Sequence, residues 1–471
     1  MKRLGSRWWL IAVGGLALTA CTVGPNYVRP AVELPVSYKE SAGWKVAEPR
    51  DQINRGNWWE IFGIPELNAL EQQVTVSNQN LRAAEASYRQ AQAAVQATRA
   101  GYFPTLSANT TATRNRLPTS ANKNSTSGDR LSDQYVLNFD ARWEADVWGQ
   151  VRRSVEASEA SAQASAADLA SIRLSLTATL AQNYFQLRAL DAQKQLLEDT
   201  VAAYRKSLEL TKNRYAVGVA AKVDVVQAQT QLESVQAQAI TIRVQRAQLE
   251  HAIALLVGQP PEAFSLPPAP LVASVPVAPA GLPSDLLERR PDIAAAERRV
   301  AAANARIGVA VAAFFPTLTL SGAGGFQSTN FTQWLSSPNL FWAVGPALAQ
   351  VIFDGGLREA QTKEARAAYD EQVALYRQAV LTGLQEVEDN LAALRYLEAA
   401  AIPQTAAVQS AQQSVALTTN QYKAGLVSYL NVALVQAAAL NIERDAVILL
   451  NNRLAASVLL IKALGGGWTQ Q

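Results

Sequence analysis

Chemistry at a protein site needs acids, bases, nucleophiles or metal ligands within reach of one another, and the versatile ones are nearly missing here. The chain has one His and one Cys in 471 residues. A Cys/His zinc site takes about four such ligands. His251 lies in a helix-like run, where a lone His is an ordinary surface or core residue. Neither a GxxxxGK(S/T) phosphate loop nor a GxSxG nucleophile elbow occurs. No catalytic residue, metal site or cofactor is expected, and the chain is not expected to be an enzyme.

The one residue expected to carry covalent chemistry is Cys21. Lys2, Arg3 and Arg7 form a charged start, followed by an apolar run from Trp8 to Leu18. This is the anatomy of a secretory signal peptide (residues 1–20), and the run is too short to span a bilayer well. It ends Leu18-Thr19-Ala20-Cys21. Small residues just before the Cys resemble a bacterial lipobox, in which the Cys is acylated and becomes the mature N-terminus. One such Cys can hold three acyl chains, a firm hold on membrane lipid. Thr22 in the next position, rather than Asp, favours the outer membrane.

The rest of the chain must build what that anchor holds. Hydrophobic residues make up 49% and charged residues 17%, a globular composition. The net charge of +3 gives no reason to expect a nucleic-acid partner. No later segment has 18 consecutive apolar residues, so any further membrane insertion must use β-strands.

A duplication organises the sequence. Phe103-Pro104-Thr105-Leu106 recurs as Phe315-Pro316-Thr317-Leu318, and Tyr215-Ala216-Val217-Gly218 recurs as Tyr422-Lys423-Ala424-Gly425. The offsets are 212 (315 − 103) and 207 (422 − 215). The parts expected are an N-terminal segment over 21–64, a first repeat over 65–258, a Pro-rich linker over 259–283, a second repeat over 284–464 and a tail over 465–471. Each repeat runs helix, strand, loop, strand, very long helix, tight turn, helix. The first helix starts near Pro65, a good first-turn residue, and ends before Phe103. The long helix of the first repeat covers about 149–217, with Leu169, Ile172, Leu176, Leu180, Tyr184, Leu187 and Leu190 at spacings of three and four. Its length is roughly 100 Å. Its counterpart covers about 357–424, with a kink or break expected at Pro403.

The strands carry the membrane signal. From Tyr135 to Glu144 the residues alternate: Tyr135, Leu137, Phe139, Ala141 and Trp143 against Val136, Asn138, Asp140, Arg142 and Glu144. That period suits a barrel strand between lipid and water. Other strands are expected near 103–113, 314–326 and 340–353. Four strands cannot close a barrel, and open edges are not tolerated in lipid. Three chains would supply twelve strands. They would also supply twelve helical columns, if each repeat gives one long helix and one column stacked from its two shorter ones. A ring of twelve columns about 10 Å apart leaves an inner width of roughly 25–30 Å.

With these features in place, the sequence resembles the TolC-like outer-membrane factors, specifically the OprM-like lipoprotein branch of tripartite RND efflux systems. The matches include Gly24-Pro25-Asn26-Tyr27, Trp58-Trp59, Asp146-Val147-Trp148-Gly149, Arg290-Pro291-Asp292-Ile293, Phe353-Asp354-Gly355-Gly356 and Leu464-Gly465-Gly466-Gly467-Trp468. The resemblance implies a mainly α fold with a transmembrane β-barrel. It implies a homotrimer forming a 12-strand barrel, a 12-helix periplasmic barrel and a mixed equatorial region. It also implies a periplasmic adaptor and an inner-membrane RND pump as partners, with drugs or other small molecules passing through. The turns at Val217, Gly218 and Val219 and at Ala424, Gly425 and Leu426 would meet the adaptor. Asp224 matches a gate aspartate that bonds to a Tyr at the position of Tyr422. Asn431 stands at the second-repeat counterpart of Asp224; Asn431 and Leu434 stand where TolC itself has acidic residues that narrow the aperture, and Val427 where it has a gate Arg, so no acidic ring is carried over. The same fold also serves type I protein secretion and metal efflux. A coiled-coil envelope lipoprotein is the rival of a different class, and it leaves the alternating strands unexplained.

Overall fold

A computed structural model describes residues 22–31, 56–116, 131–271, 274–276 and 290–466. The signal peptide, Cys21 itself, parts of the 259–283 linker and the end of the tail with Trp468 lie outside these. The described chain divides into two compact units. The first takes Tyr88–Ser165 and Ala296–Tyr376 with the described part of 1–31; the second takes the remainder. The units do not follow the repeats, since each draws segments from both.

In the first repeat the order is α1 (Pro65–Ser77), α2 (Gln79–Arg99), β1 (Thr105–Arg116), β2 (Leu131–Ala145), α3 (Gln150–Ala216) and α4 (Lys222–Leu256). The second repeat gives α5 (Pro291–Ala312), β3 (Thr317–Ser328), β4 (Leu340–Ala349), α6 (Leu357–Lys423) and α7 (Tyr429–Ala463). The expected element order holds, with two corrections. The first helix is broken at Asn78, which is extended (ψ 125°) and whose Oδ1 accepts from the Leu81 N–H at 3.0 Å. Asn78 thus caps α2, and its Nδ2 reaches the Leu256 carbonyl at 2.8 Å. The second correction is Pro403. Helix α6 runs 67 residues straight through it. Pro403 is exposed, where water can take the carbonyl its missing N–H leaves free.

In the first unit the four strands form one antiparallel sheet in the order β1-β2-β3-β4. The long helices start from matching caps. Asp146 accepts from the N–H groups of Val151 and Arg152, both at 2.9 Å. Asp354 accepts from Gly356 at 3.0 Å and from Arg358. The Arg358 side chain holds the Asp354 carboxyl below its ordinary range. The segment 22–31 crosses this unit as an extended strap. Buried Arg153 donates to the Val23 and Gly24 carbonyls and to Asn26, and Asn304 donates to the Pro25 carbonyl at 3.0 Å. Gly24 has φ +92°, and an added Cβ there would stand 2.5 Å from the Gly308 Cα.

The second unit holds two apolar cores. One packs Trp58, Trp59 and Phe62 with Leu67 and Val74 of α1, Leu180 and Phe185 of α3 and Leu454 and Val458 of α7. Glu71 of α1 is fully buried without a hydrogen-bond partner, and burial raises its carboxyl well above the usual value. The other core packs Leu190, Leu197 and Tyr204, seven residues apart on α3, with Leu232, Val235, Ala239 and Ile242 of α4 and Tyr429, Val432 and Leu440 of α7. By length and hydropathy α7 could span a membrane, but its face with Leu454, Val458 and Ile461 is packed in this unit.

Candidate functional site: a two-faced sheet and a pair of clasped hairpins

The strand register extends the alternation of β2 to β1 and β3. Asn138 and Asp140 pair with Asn109 and Ser107 of β1, and Arg142 and Glu144 with Ser321 and Thr319 of β3. Thr105, Thr111, Thr113 and Asn115 continue this face on β1, whereas β4 sets Phe341, Ala343, Gly345, Ala347 and Ala349 there and brings no polar side chain. Asp140 accepts from Asn138 at 2.6 Å and from Asn109 at 3.2 Å, so its charge is held within a polar network. The opposite face carries Leu106, Ala108, Leu137, Phe139, Trp143, Leu318, Leu320, Trp342, Val344 and Leu348. Leu106, Trp342, Val344 and Leu348 are 75%, 76%, 78% and 71% exposed. A soluble protein rarely leaves a contiguous apolar face of this size bare. A wall with lipid on one side and water on the other requires one.

Aromatic side chains mark both ends of that face. At the loop end Tyr135, Phe331 and Trp334 touch, with ring centroids 5.3 to 6.2 Å apart. At the helix end Trp143 donates to the Tyr102 carbonyl at 2.9 Å, and Trp148 stacks on Phe315 at 4.8 Å. Tyr135 and Trp143 are about 26 Å apart along β2, against an apolar band of about 25 Å in membrane barrels.

The second feature is the pair of hairpin turns in the second unit. In the first, Gly218 (φ +74°) donates to the Tyr215 carbonyl and Val219 to the Arg214 carbonyl. In the second, Gly425 (φ +79°) donates to Tyr422 and Leu426 to Gln421. Both are Schellman caps, which need a left-handed residue where each Gly stands. Val217, Val219 and Leu426 are exposed at the tips, and Ala424 is too.

The structure does not bring Asp224 to Tyr422 within the chain. Asp224 turns back on its own helix, its Oδ2 accepting from the Ala221 N–H at 3.2 Å. Ala221 is the N-cap of α4 and has no side chain to cap with, so Asp224 supplies the closing bond. Tyr422 is buried and donates to Thr211 at 3.2 Å. Asn431 lies in the first turn of α7, exposed. A charged clasp between the hairpins comes from Arg214 instead. Arg214 stacks 4.9 Å over the Tyr422 ring and donates to the Lys423 carbonyl at 2.9 Å. Tyr422 meets Tyr429 edge-on at 5.6 Å, and Gln231 donates to the Ala433 carbonyl at 2.8 Å. Burial pushes the Tyr429 hydroxyl up, and Tyr204 to about 12, so both remain neutral donors. One signal for Arg214 was present in the sequence. Its counterpart at the 207-residue offset is Gln421, so the repeats differ in charge at that position.

His251 is exposed on α4. Among the described residues no group of three or more His, Cys, Asp or Glu side chains is placed to hold a metal ion.

Residues 70–259 and 282–466 match the family described as outer membrane efflux protein. The chain belongs to that family. The two matched segments follow the duplication. The chain is 31% identical over 464 residues to a probable efflux pump outer membrane protein, TtgC, of Pseudomonas putida, covering 98% of this chain and 96% of that one. It is 32% identical to the pyoverdine export outer membrane protein OpmQ of Pseudomonas aeruginosa, covering 96% and 95%. Its fold is similar to the outer-membrane channel OprN, with TM-score 0.86, 30% identity and coverage of 95% and 100%. It is also similar to the open state of the Neisseria gonorrhoeae MtrE outer membrane channel, with TM-score 0.82, 30% identity and coverage of 95% and 98%. The efflux protein is thus a bacterial outer-membrane protein with the mainly helical, TolC-like fold. Its family consists of efflux conduits rather than enzymes.

Proposed function

We propose that three copies close their sheets into one twelve-strand barrel, and that the assembly is the outer-membrane conduit of a tripartite efflux pump. The sheet carries this reading. It is apolar on one face through four strands and mostly polar on the other through β1, β2 and β3, and β1 and β4 each have an open edge. Unpaired edges do not persist in lipid. Two copies would give eight strands, an interior that side chains fill, whereas three leave a passage. Relatives named for efflux and export support the conduit.

The remaining parts follow the family resemblance. Acylation of Cys21 ties the chain to membrane lipid. The strap supports this placement, because Val23 donates to the Trp148 carbonyl at 3.1 Å and Thr22 lies against Gly149, beside the end of β2. The exposed tips at Val217 and Val219 and at Leu426 suit apolar contacts with an adaptor, and an inner-membrane RND pump supplies the energy. Asp224, Tyr422 and Asn431 lie in the part of the hairpins where the passage narrows. Small molecules are the expected cargo; protein secretion and metal efflux are the alternatives on the same fold.

The test is single-channel recording of the purified full-length protein in planar bilayers, beside its oligomer mass. A conducting oligomer of three chains is the expected result. A monomer without conductance would leave only a structural envelope protein.

A further inference from the structure

We propose that Arg114 and Arg116 bind the phosphate groups of an anionic glycolipid in the outer leaflet of the membrane. This rests on the apolar sheet face being the lipid face. The register sets Arg114 opposite Asp133 and Arg116 opposite Leu131. By the alternation of β1, both arginines share the face of Leu106, Ala108 and Ala112, across from Leu137 and Phe139. Two cations therefore stand, with Asp133, Thr110 and Ser328, on a face that is otherwise apolar.

Their height explains how they are tolerated. Tyr135 of the loop-end aromatic cluster pairs with Ala112. Arg114 and Arg116 lie two and four residues farther along β1, about 7 and 13 Å past that cluster. Aromatic belts sit at the headgroup level. The arginines thus stand outside the apolar band, just beyond the level of the aromatic belt, where a charge is tolerated.

The charges on this face are all at one end. Among the described strand residues, the apolar face carries only Arg114, Arg116 and Asp133, all near the loop between β1 and β2. The helix end of the face carries Leu106, Trp143, Leu318 and Leu348 instead. In membrane barrels of this class the longer loops are on the outside. The leaflet there, in a bacterial outer membrane, is built of a phosphorylated glycolipid. The basic end therefore meets the phosphate layer.

The geometry of Arg114 suits that ligand. Asp133 approaches it through Nε, at 3.4 Å, and the Arg114 side chain remains 68% exposed. The carboxylate orients the guanidinium from one edge and leaves the two Nη groups for a bidentate contact. Arg116 adds a second exposed fork one pleat away. Asp133 also sets a limit, since its charge opposes the phosphate. Asp133→Asn is therefore expected to strengthen binding.

The experiment uses the purified full-length protein as its native oligomer. Wild type, Arg114→Gln/Arg116→Gln and Asp133→Asn are each mixed with bisphosphorylated lipid A, with its dephosphorylated form, or with lipid A plus inorganic phosphate. Native mass spectrometry counts bound lipid, and the temperature of oligomer dissociation is recorded. Wild type should hold the phosphorylated lipid and dissociate at a higher temperature with it. The double variant should bind it about tenfold more weakly or worse, the loss expected for charged hydrogen bonds. The dephosphorylated lipid should not distinguish the two. Equal retention of phosphorylated lipid by wild type and double variant overturns the proposal, as does equal binding of both lipid forms. Full displacement by millimolar inorganic phosphate would make this a free-phosphate site and overturns the lipid assignment. Conductance of the double variant should equal wild type. If wild type itself neither conducts nor assembles, the lipid-face reading fails and takes the proposal with it.

Discussion

Single residues decide what holds the hairpins together. Asp224 and Tyr422 were expected to meet, yet each is occupied elsewhere in the chain, Asp224 by its own helix start and Tyr422 by Thr211. Of the bonds that tie one hairpin to the other, Tyr422 to Thr211 and Gln231 to the Ala433 carbonyl are neutral, whereas Arg214 to the Lys423 carbonyl has a charged donor and is reinforced by the stack on Tyr422. A hydrogen bond from a charged donor contributes about 1.5–3 kcal/mol, and the stack about 0.5–2 kcal/mol. Losing the Asp224 cap costs about 1 kcal/mol, and that loss falls on the helix rather than on the clasp. Arg214→Gln, which installs the residue of the second repeat, should therefore raise single-channel conductance. Tyr422→Phe should do so to a smaller degree, and Asp224→Ala least. Wild-type conductance in all three would remove this cluster as a latch. Asp224 and Tyr422 were legible because each lies in a motif near a turn. Arg214 was not, because its partners are 208 and 209 residues away and only the Arg/Gln mismatch between the repeats hints at them.

At the scale of elements, legibility followed periodicity. Strand β2 was plain because charges and aromatics alternate along it. Strand β4 was placed from 340 but expected to reach 353; it stops at Ala349. On the side opposite Trp342 its residues are Phe341, Ala343, Gly345, Ala347 and Ala349, so no polar alternation marks where it ends. Asn78 does not stand out in the sequence, because its cost inside a helix is a few tenths of a kcal/mol, easily hidden among good helix formers. Pro403 failed in the other direction, because a long helix with an exposed Pro can lose one bond and continue. The ladder between β2 and β3 is where the repeats join within the sheet, and it depends on Gly325. An added Cβ there would lie 1.9 Å from the Leu137 carbonyl oxygen, whereas one at Gly345 meets nothing within 4 Å. Gly325→Ala must push the strands apart. It should destabilise by about 1–3 kcal/mol or more and abolish or lower the heat-modifiable oligomer on gels. Gly345→Ala should stay within about 0.5 kcal/mol of wild type. Equal behaviour of the two variants would show that the ladder tolerates the side chain.

For the whole molecule, a duplicated chain must also join its halves where they are not alike. The sheet does so through β2 and β3. Two unrepeated segments do the rest, one in each compact unit. In the second unit the linker is pinned by charge: Arg188 donates to the Pro267 carbonyl at 2.8 Å, and Asp191 accepts from the Ala269 N–H at 3.2 Å. In the first unit the strap after position 21 touches Trp148 and Arg153 of one repeat, then Asn304, Glu297 and Tyr376 of the other. None of this showed in the sequence beyond the motif Gly24-Pro25-Asn26-Tyr27, because the contacts span up to 347 residues. Gly24 is the point at which to test it. Its φ of +92° and the 2.5 Å approach of its missing Cβ to Gly308 both exclude a side chain. Gly24→Ala should therefore lift the strap while leaving the sheet and the hairpins intact. The expected result is protease cleavage within 22–31 and a lower temperature of oligomer dissociation, with single-channel conductance unchanged. If the strap stays protected in that variant, its bonds to Arg153 and Asn304 are not what joins the halves in this unit. If conductance falls with it, the strap contributes to the shape of the passage as well as to the join.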